Sequence, residues 1–394
     1  MFRIALKMLA ADRAKFAGLL FGIAFTSFLV TFAASYFCGF MTRGFSLITE
    51  NPTADVWVMD PAVESAEQTI NLPTSAWYRV RSVDGVESAS PLALGMVDAR
   101  FPNGRFQTFQ VIGVEDATLA GAPMMGAPGE LRARDAVIVD GGGTVGKLQT
   151  PSLARDRWPH DGMHLDVPTR ELAAGDELLA NDQLVRVLGR AEGLARFPPR
   201  PLLYTTFSNA ARILPGEPHR LTFVMAKARP GVDPRDLAAR IGQHTGLRAR
   251  TREQFKSDTV RWFLINSEDV GDIAAMLTLA MTMGFGVTGV MLFMFTYERQ
   301  TQYAVLKTLG ATPSDLVRMV LAQAAVCALI GTGLGLGLCG VAGEVVLRLG
   351  FPFRMMWFTP VLGIVGVLLV CAAAAVVSLR PVIKLRPAVV FAGR

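Results

Sequence analysis

The sequence predicts a membrane protein with four transmembrane α-helices and a large extracytoplasmic α+β domain inserted between helices 1 and 2. Three observations carry this. Apolar residues make up 51% of the 394 positions and charged ones only 18%, with a mean hydropathy of +0.36, whereas a soluble domain carries about a quarter charged residues. The apolar excess falls in four runs, each long enough for the ~20 helical residues that cross a hydrocarbon core. Between the first two runs lies a long polar stretch with strand-like alternation and turn residues. An ordinary cytosolic enzyme is excluded, and so is a disordered chain, because there is ample apolar surface to bury.

The chain opens with an amphipathic basic segment, 1–15, followed by a charge-free span at Phe16–Phe40. That run is too long for a signal-peptide core, and the bulky Tyr36 and Phe37 before Cys38 do not suit lipoprotein processing, so a retained span is expected. The inserted domain covers 41–272, and the second span, Ile273–Tyr297, is again uncharged. Residues 298–316 join it to a glycine-rich third span, Val317–Leu349; a short loop at 350–358 leads to the fourth, Thr359–Leu379, and a tail at 380–394. The short basic flanks (Arg3, Lys7, Arg13, Lys15; Arg299, Lys307, Arg318; Arg380, Lys384, Arg386, Arg394) all fall on one side for an even number of spans. The positive-inside rule then places both termini in the cytoplasm and 41–272 outside. These flanks and scattered single arginines account for the net charge of +6, and no nucleic-acid partner is expected. Cys38, Cys327, Cys339 and Cys371 lie within spans. A cysteine-free outer domain fits an oxidising bacterial periplasm, and hence a multi-pass protein of the inner membrane.

Within the outer domain, Asp55–Asp60 reads as a strand, Tyr78–Val83 as the end of a helix, and Val86–Pro91, Phe106–Val114 and Ala136–Asp140 as strands. Leu178–Leu188 reads as a hairpin about Asn181-Asp182, Arg220–Lys227 as a strand and Pro234–Gly242 as a helix. Residues 120–175 lack periodicity and are predicted as a long surface excursion.

Several motifs are decoys. Gly141-Gly-Gly-Thr-Val-Gly146-Lys147-Leu148 approaches a phosphate-binding loop, but Leu148 stands where a hydroxyl must reach Mg²⁺. Gly335-Leu-Gly337-Leu-Cys-Gly340 spells a dinucleotide fingerprint inside a span, where Gly331/Gly335 and Gly333/Gly337 instead have small-xxx-small spacing for helix packing. His160 and His164 are four apart, but Pro159 and Gly162 argue against a shared helix face, so no metal site is expected. No catalytic set is evident, because the cysteines and histidines lie in different regions. Glu344 and Arg348 are ionisable residues of the third span with i,i+4 spacing, predicted to form an ion pair near its outer end.

The informative stretch is 298–316. Tyr303–Leu309 reads as a short amphipathic helix with Tyr303, Leu306 and Leu309 on one side. Gly310 stops it, and Thr312-Pro313-Ser314-Asp315 starts the next helix with an N-cap, a proline at N1 and an acid at N3. Glu298-Arg299 followed by Tyr303-Ala-Val-Leu-Lys307-Thr-Leu309-Gly310-Ala311 resembles the signature of FtsX/MacB-type (type VII) ABC transporter permeases, and the span layout is similar along essentially the whole chain. Asp55–Asp60 and Tyr78–Val86 look more narrowly like the DevC-like branch of export permeases.

The resemblance implies a homodimeric permease bound through that short helix to two copies of a separate ABC ATPase. The ATPase holds ATP and Mg²⁺; this chain holds no cofactor and is not itself an enzyme. A periplasmic membrane-fusion adaptor and an outer-membrane exit duct are the further partners it implies. The expected work is mechanotransmission, in which ATP hydrolysis by the partner drives motion outside the membrane to export or extract a substrate. Two alternatives share the layout: an FtsX-like regulator that transports nothing, and a lipoprotein-extracting permease. A secondary transporter is disfavoured, since no inverted repeat or broken midplane helix is present.

Overall fold

The computed structural model describes residues 13–123, 128–216, 220–298, 302, 305, 306, 308, 310 and 312–383. The chain forms two compact units, a membrane unit of Met1–Phe40 with Ser267–Arg394 and an inserted unit, Met41–Asn266.

Among the described residues the membrane unit holds four long helices, Arg13–Gly44, Glu268–Glu298, Pro313–Arg348 and Phe358–Ile383, each long and apolar enough to cross a membrane. The second starts before the apolar run because Glu268 and Asp269 occupy its first turn, where acidic groups complement the helix dipole. Half of the first span's most apolar stretch is buried, against 17% of the second's, so the first helix sits at the centre of the packing. Its Leu19 and Ile23 meet Cys327 and Ala328 of the third helix and Val367, Cys371 and Ala374 of the fourth.

Among the described residues the inserted unit is built on a nine-stranded sheet. In chain order the strands are β1 (Val56–Met59), β2 (Leu72–Pro73), β3 (Val86–Arg100), β4 (Phe106–Val114), β5 (Ala136–Asp140), β6 (Gln149–Pro151), β7 (Thr169–Glu171), β8 (Glu177–Ala180), β9 (Gln183–Ala191), β10 (Leu202–Thr206), β11 (Arg220–Leu221), β12 (Phe223–Ala228) and β13 (Arg248–Thr251). The large sheet runs β13-β1-β12-β3-β4-β10-β5-β9-β8, and β8 pairs back onto β3. The long β3 is therefore shared by two lobes. Up to Leu92 its edge pairs with β12; at Ala99 and Arg100 that edge is taken by Ala180 and Leu179 of β8.

In the first lobe β1 is buried on both faces, as its continuous apolar run requires. Val56 and Val58 point towards Val80 of the helix Ser75–Arg81 and Leu237 and Ile241 of the helix Pro234–Thr245. Trp57 and Met59 point the other way, where Trp57 meets Phe223 edge-on at 5.7 Å and Phe255 lies 5.6 Å from Phe223. In the second lobe β3, β4, β10, β5, β9 and β8 close on themselves around Val97, Phe109, Val111, Val137, Val139, Val185 and Leu203. Closure removes the exposed edges these strands would otherwise present.

Strands β4 and β5 fall where alternation predicts them, and the helix from Pro234 runs on to Thr245, ending at Gly246 with a left-handed φ of 71°. The hairpin β8–β9 turns through Asn181 and Asp182, both at positive φ, as a two-residue hairpin turn demands. Two expectations need correction. The run Arg220–Lys227 is two strands, broken at Thr222, whose hydroxyl accepts from Leu94 N–H at 3.0 Å. The stretch 120–175 is not simply an excursion. Besides the expected β5, it contains the β6–β7 pair, and it sends Leu148 and Leu172 into the closed lobe's core.

Candidate functional site

Within the segment joining the second and third spans, the second helix continues to Glu298, and Gln302, Val305, Leu306 and Thr308 are helical. Leu306 is half-buried and Val305 exposed, so the short helix presents an apolar residue that the sequence pattern did not single out. Thr308 Oγ1 donates back to Val305 O at 2.8 Å, and Gly310 has φ 97°, the left-handed conformation of a residue that ends a helix. Arg299, Tyr303, Lys307, Leu309 and Ala311 lie outside the described residues.

The start of the third helix is defined atom by atom. Thr312 Oγ1 accepts from Asp315 N–H at 3.3 Å, and the Asp315 carboxylate accepts from Thr312 N–H at 3.1 Å, with Pro313 at N1. This capping box satisfies two backbone donors that a helix start leaves open. The end of the short helix at Gly310 and the start of the third helix at Thr312 are thus both defined, by a left-handed glycine and by a capped start.

In the third span the two glycine pairs have different surroundings. A Cβ added to Gly331 would lie 2.6 Å from Ile23, and one on Gly335 would lie 2.4 Å from Ala24 O. Gly333 and Gly337 have no such neighbour within 4 Å. Only the first pair brings this helix against the first span. Sequence reading missed a row of buried hydroxyls on the facing helix. Ser27 Oγ donates to Thr332 O at 3.4 Å and Ser35 Oγ to Thr359 Oγ1 at 3.2 Å, while Thr31 Oγ1 packs over Gly363. Their spacing of about four residues was the available signal: on a helix it places small polar side chains on one stripe.

Glu344 and Arg348 do pair, with Oε1 3.2 Å from Nε, and both side chains are exposed. Nearby, Phe353 of the loop between the third and fourth helices packs on Phe32 and stands where a side chain at Gly39 or Gly343 would go.

The decoys resolve as ordinary structure. After β5, Gly141 O accepts from Thr144 N–H at 2.8 Å, closing a turn, and Gly142 N–H is used by Asp140 Oδ1 at 2.6 Å. The next regular element is β6, not a helix whose N-terminus could hold phosphate. His164 lies between carboxylates, Nδ1 3.1 Å from Asp156 Oδ1 and Nε2 3.2 Å from Asp161 Oδ1. No metal-holding group of His, Cys, Asp or Glu occurs among the described residues.

The capped segment and the three helices around it lie in one stretch of sequence whose relationship is decisive. Residues 274–387 match the FtsX-like permease C-terminal family. The resemblance read from Glu298–Ala311 is borne out for that region, and with four membrane-crossing helices the chain is a multi-pass membrane protein. The FtsX-like region holds the second, third and fourth spans, the joining segment and the glycine pairs, while the inserted unit precedes it. No curated protein matches the chain. Among solved structures, it is similar to the periplasmic region of MacB from Actinobacillus actinomycetemcomitans, at 12% identity and a TM-score of 0.36, over 56% of this chain and 96% of that one. It is also similar to the extracellular domain of the noncanonic ABC-type transporter YknZ from Gram-positive bacteria, at 13% identity and a TM-score of 0.32, over 50% of this chain and 98% of that one.

Proposed function

We propose that this chain is the permease subunit of an ABC exporter of the bacterial inner membrane. A separate ATPase hydrolyses ATP, and the permease turns that cycle into motion of an extracytoplasmic inserted unit. The observation that carries this reading is the short helix ending at Gly310 and followed by the Thr312–Asp315 capping box, set within the FtsX-like region. A helix fixed at its end and joined to a capped span works as a lever, since a force on it is not lost in a slack loop.

The composition of the spans supports mechanical work rather than a hydrophilic pore. Residues 16–42, 273–297, 319–343 and 358–379 carry no charged side chain, and a route for a charged substrate through them would lack an ionic partner. In this reading two copies of the chain work with two ATPase subunits, which hold ATP and Mg²⁺, and both termini are cytoplasmic. An adaptor and an outer-membrane duct complete the export route.

The test is capture of the ATPase by the detergent-solubilised permease. Burying a leucine side chain in a partner's groove is worth roughly 1.5–3 kcal/mol, so Leu306→Asp is expected to lower recovery at least tenfold, since about 1.4 kcal/mol is tenfold in affinity. Lys307→Ala should cost about 1 kcal/mol or less, as a charge at the rim does. Equal recovery by wild type and Leu306→Asp would remove the coupling role from this helix.

A further inference from the structure

The two chain ends of the inserted unit meet on one loop. The first segment, following the helix that ends at Gly44, is the short helix Ser46–Glu50; the last is the helix Arg252–Asn266. Residues 193–197, between β9 and β10, contact both. The buried guanidinium of Arg196 donates from Nη1 to Ser46 Oγ at 3.0 Å, and from Nη2 to the Glu50 carboxylate and to Tyr204 Oη. Leu194 N–H donates to Glu50 Oε1 at 2.6 Å, and Tyr204 Oη donates to Glu50 Oε2 at 3.3 Å.

The same loop is fastened to the sheet. Gly193 N–H donates to Asp140 Oδ2 at 2.5 Å, and Arg196 N–H donates to Gly142 O at 3.0 Å. A Cβ on Gly193 would come within 2.9 Å of both the Asp140 and Glu50 carboxylates, so glycine is what lets the loop backbone sit between them. The next side chain turns to the outgoing segment: the Phe197 ring lies edge-on to Phe263, 6.1 Å between centroids. Phe263 in turn fills the space opposite Gly44, where a Cβ would lie 2.5 Å from its ring.

A buried ion pair with several directional hydrogen bonds adds little net stability but favours a single geometry. We propose that loop 193–197 is a clip, with Arg196 holding the incoming segment and Phe197 the outgoing one, that keeps the two ends of the inserted unit at a fixed separation. Its use, making the unit turn as one body instead of hinging at either end, rests on the permease reading; the clip itself does not.

The test uses the full chain in detergent, its four native cysteines replaced by alanine, with spin labels at the exposed positions Thr49 and Ile265. A second pair, at Tyr78 and Arg229, reports on the sheet lobe alone. The parent should give a narrow Thr49–Ile265 distance distribution. Combining Arg196→Ala with Phe197→Ala should broaden it about twofold, as expected for a locally released segment, and leave the Tyr78–Arg229 pair unchanged. Should that variant lose both narrow distributions, Phe197→Ala alone decides by the same comparison. A Thr49–Ile265 distribution as narrow as the parent's, in a variant with the control pair intact, would overturn the clip. No ATPase enters this measurement, so failure of the permease reading in the capture experiment is separable from failure of the clip.

Discussion

Glu67 shows how burial and pairing compete at single residues of the inserted unit. Its carboxylate is paired with Arg200, and both side chains are mostly buried. Burial pushes the carboxyl above the ordinary value of 4.5, and the Arg200 guanidinium only partly pulls it back. A raised folded-state value means that the folded chain binds the proton more tightly than the unfolded chain does. The resulting stability is complete below pH 4.5 and is lost as pH rises through the folded value. Asp176 has the opposite sign. Burial opposes its charge, but hydrogen bonds from Arg170 and from Ala173 N–H outweigh that and hold it below 3.8, so its contribution is lost as pH falls. Thermal unfolding in detergent should therefore show Glu67→Gln gaining on wild type as pH is raised from 5 to 8, while Asp176→Asn keeps a constant deficit. A difference between Glu67→Gln and wild type that does not change with pH would contradict this account. Neither Glu67 nor its partner stood out in the sequence, because they lie 133 positions apart and only the fold joins them. Arg170 and Asp176 are six apart, yet nothing in their spacing marks them as a pair.

Single elements are most legible where a local rule decides them. Thr312 with Asp315 three residues on, and Asn181-Asp182 between alternating runs, each name a structure from neighbouring residues alone. Closure of the second lobe was not legible, since it depends on β8 reaching Ala99 and Arg100 of β3. The glycine stripe shows the boundary between the two cases. Spacing marks Gly331, Gly333, Gly335 and Gly337 alike, but only a neighbouring helix decides which of them must stay small. Gly335→Ala should lower the stability of the membrane unit by about 1–3 kcal/mol, the usual cost of forcing extra atoms into a packed contact. Gly337→Ala meets open space and should be neutral or stabilising by up to about 1 kcal/mol, since alanine is the better helix former. Thermal denaturation of the two variants in the same detergent compares them directly. Equal losses would mean that both glycine pairs are packed alike.

At the scale of the whole molecule, orientation decides whether the proposed work is possible. The joining segment must face the compartment that holds ATP, and the inserted unit must face the other. The short flanks 1–15, 298–318 and 380–394 each carry a net positive charge, and short flanks obey the positive-inside rule while a long translocated domain is largely exempt. Two exposed positions report on the two sides. Val145 is 78% exposed in the inserted unit, and Gln302 is exposed in the joining segment. All four native cysteines are buried, which keeps the background of thiol labelling low. A membrane-impermeant maleimide added to intact spheroplasts should therefore label Val145→Cys, and should reach Gln302→Cys only after the membrane is opened. Reaction of Gln302→Cys in intact spheroplasts would reverse the orientation. The lever helix would then lie on the side without ATP, and no arrangement of the remaining residues could couple this chain to an ATPase.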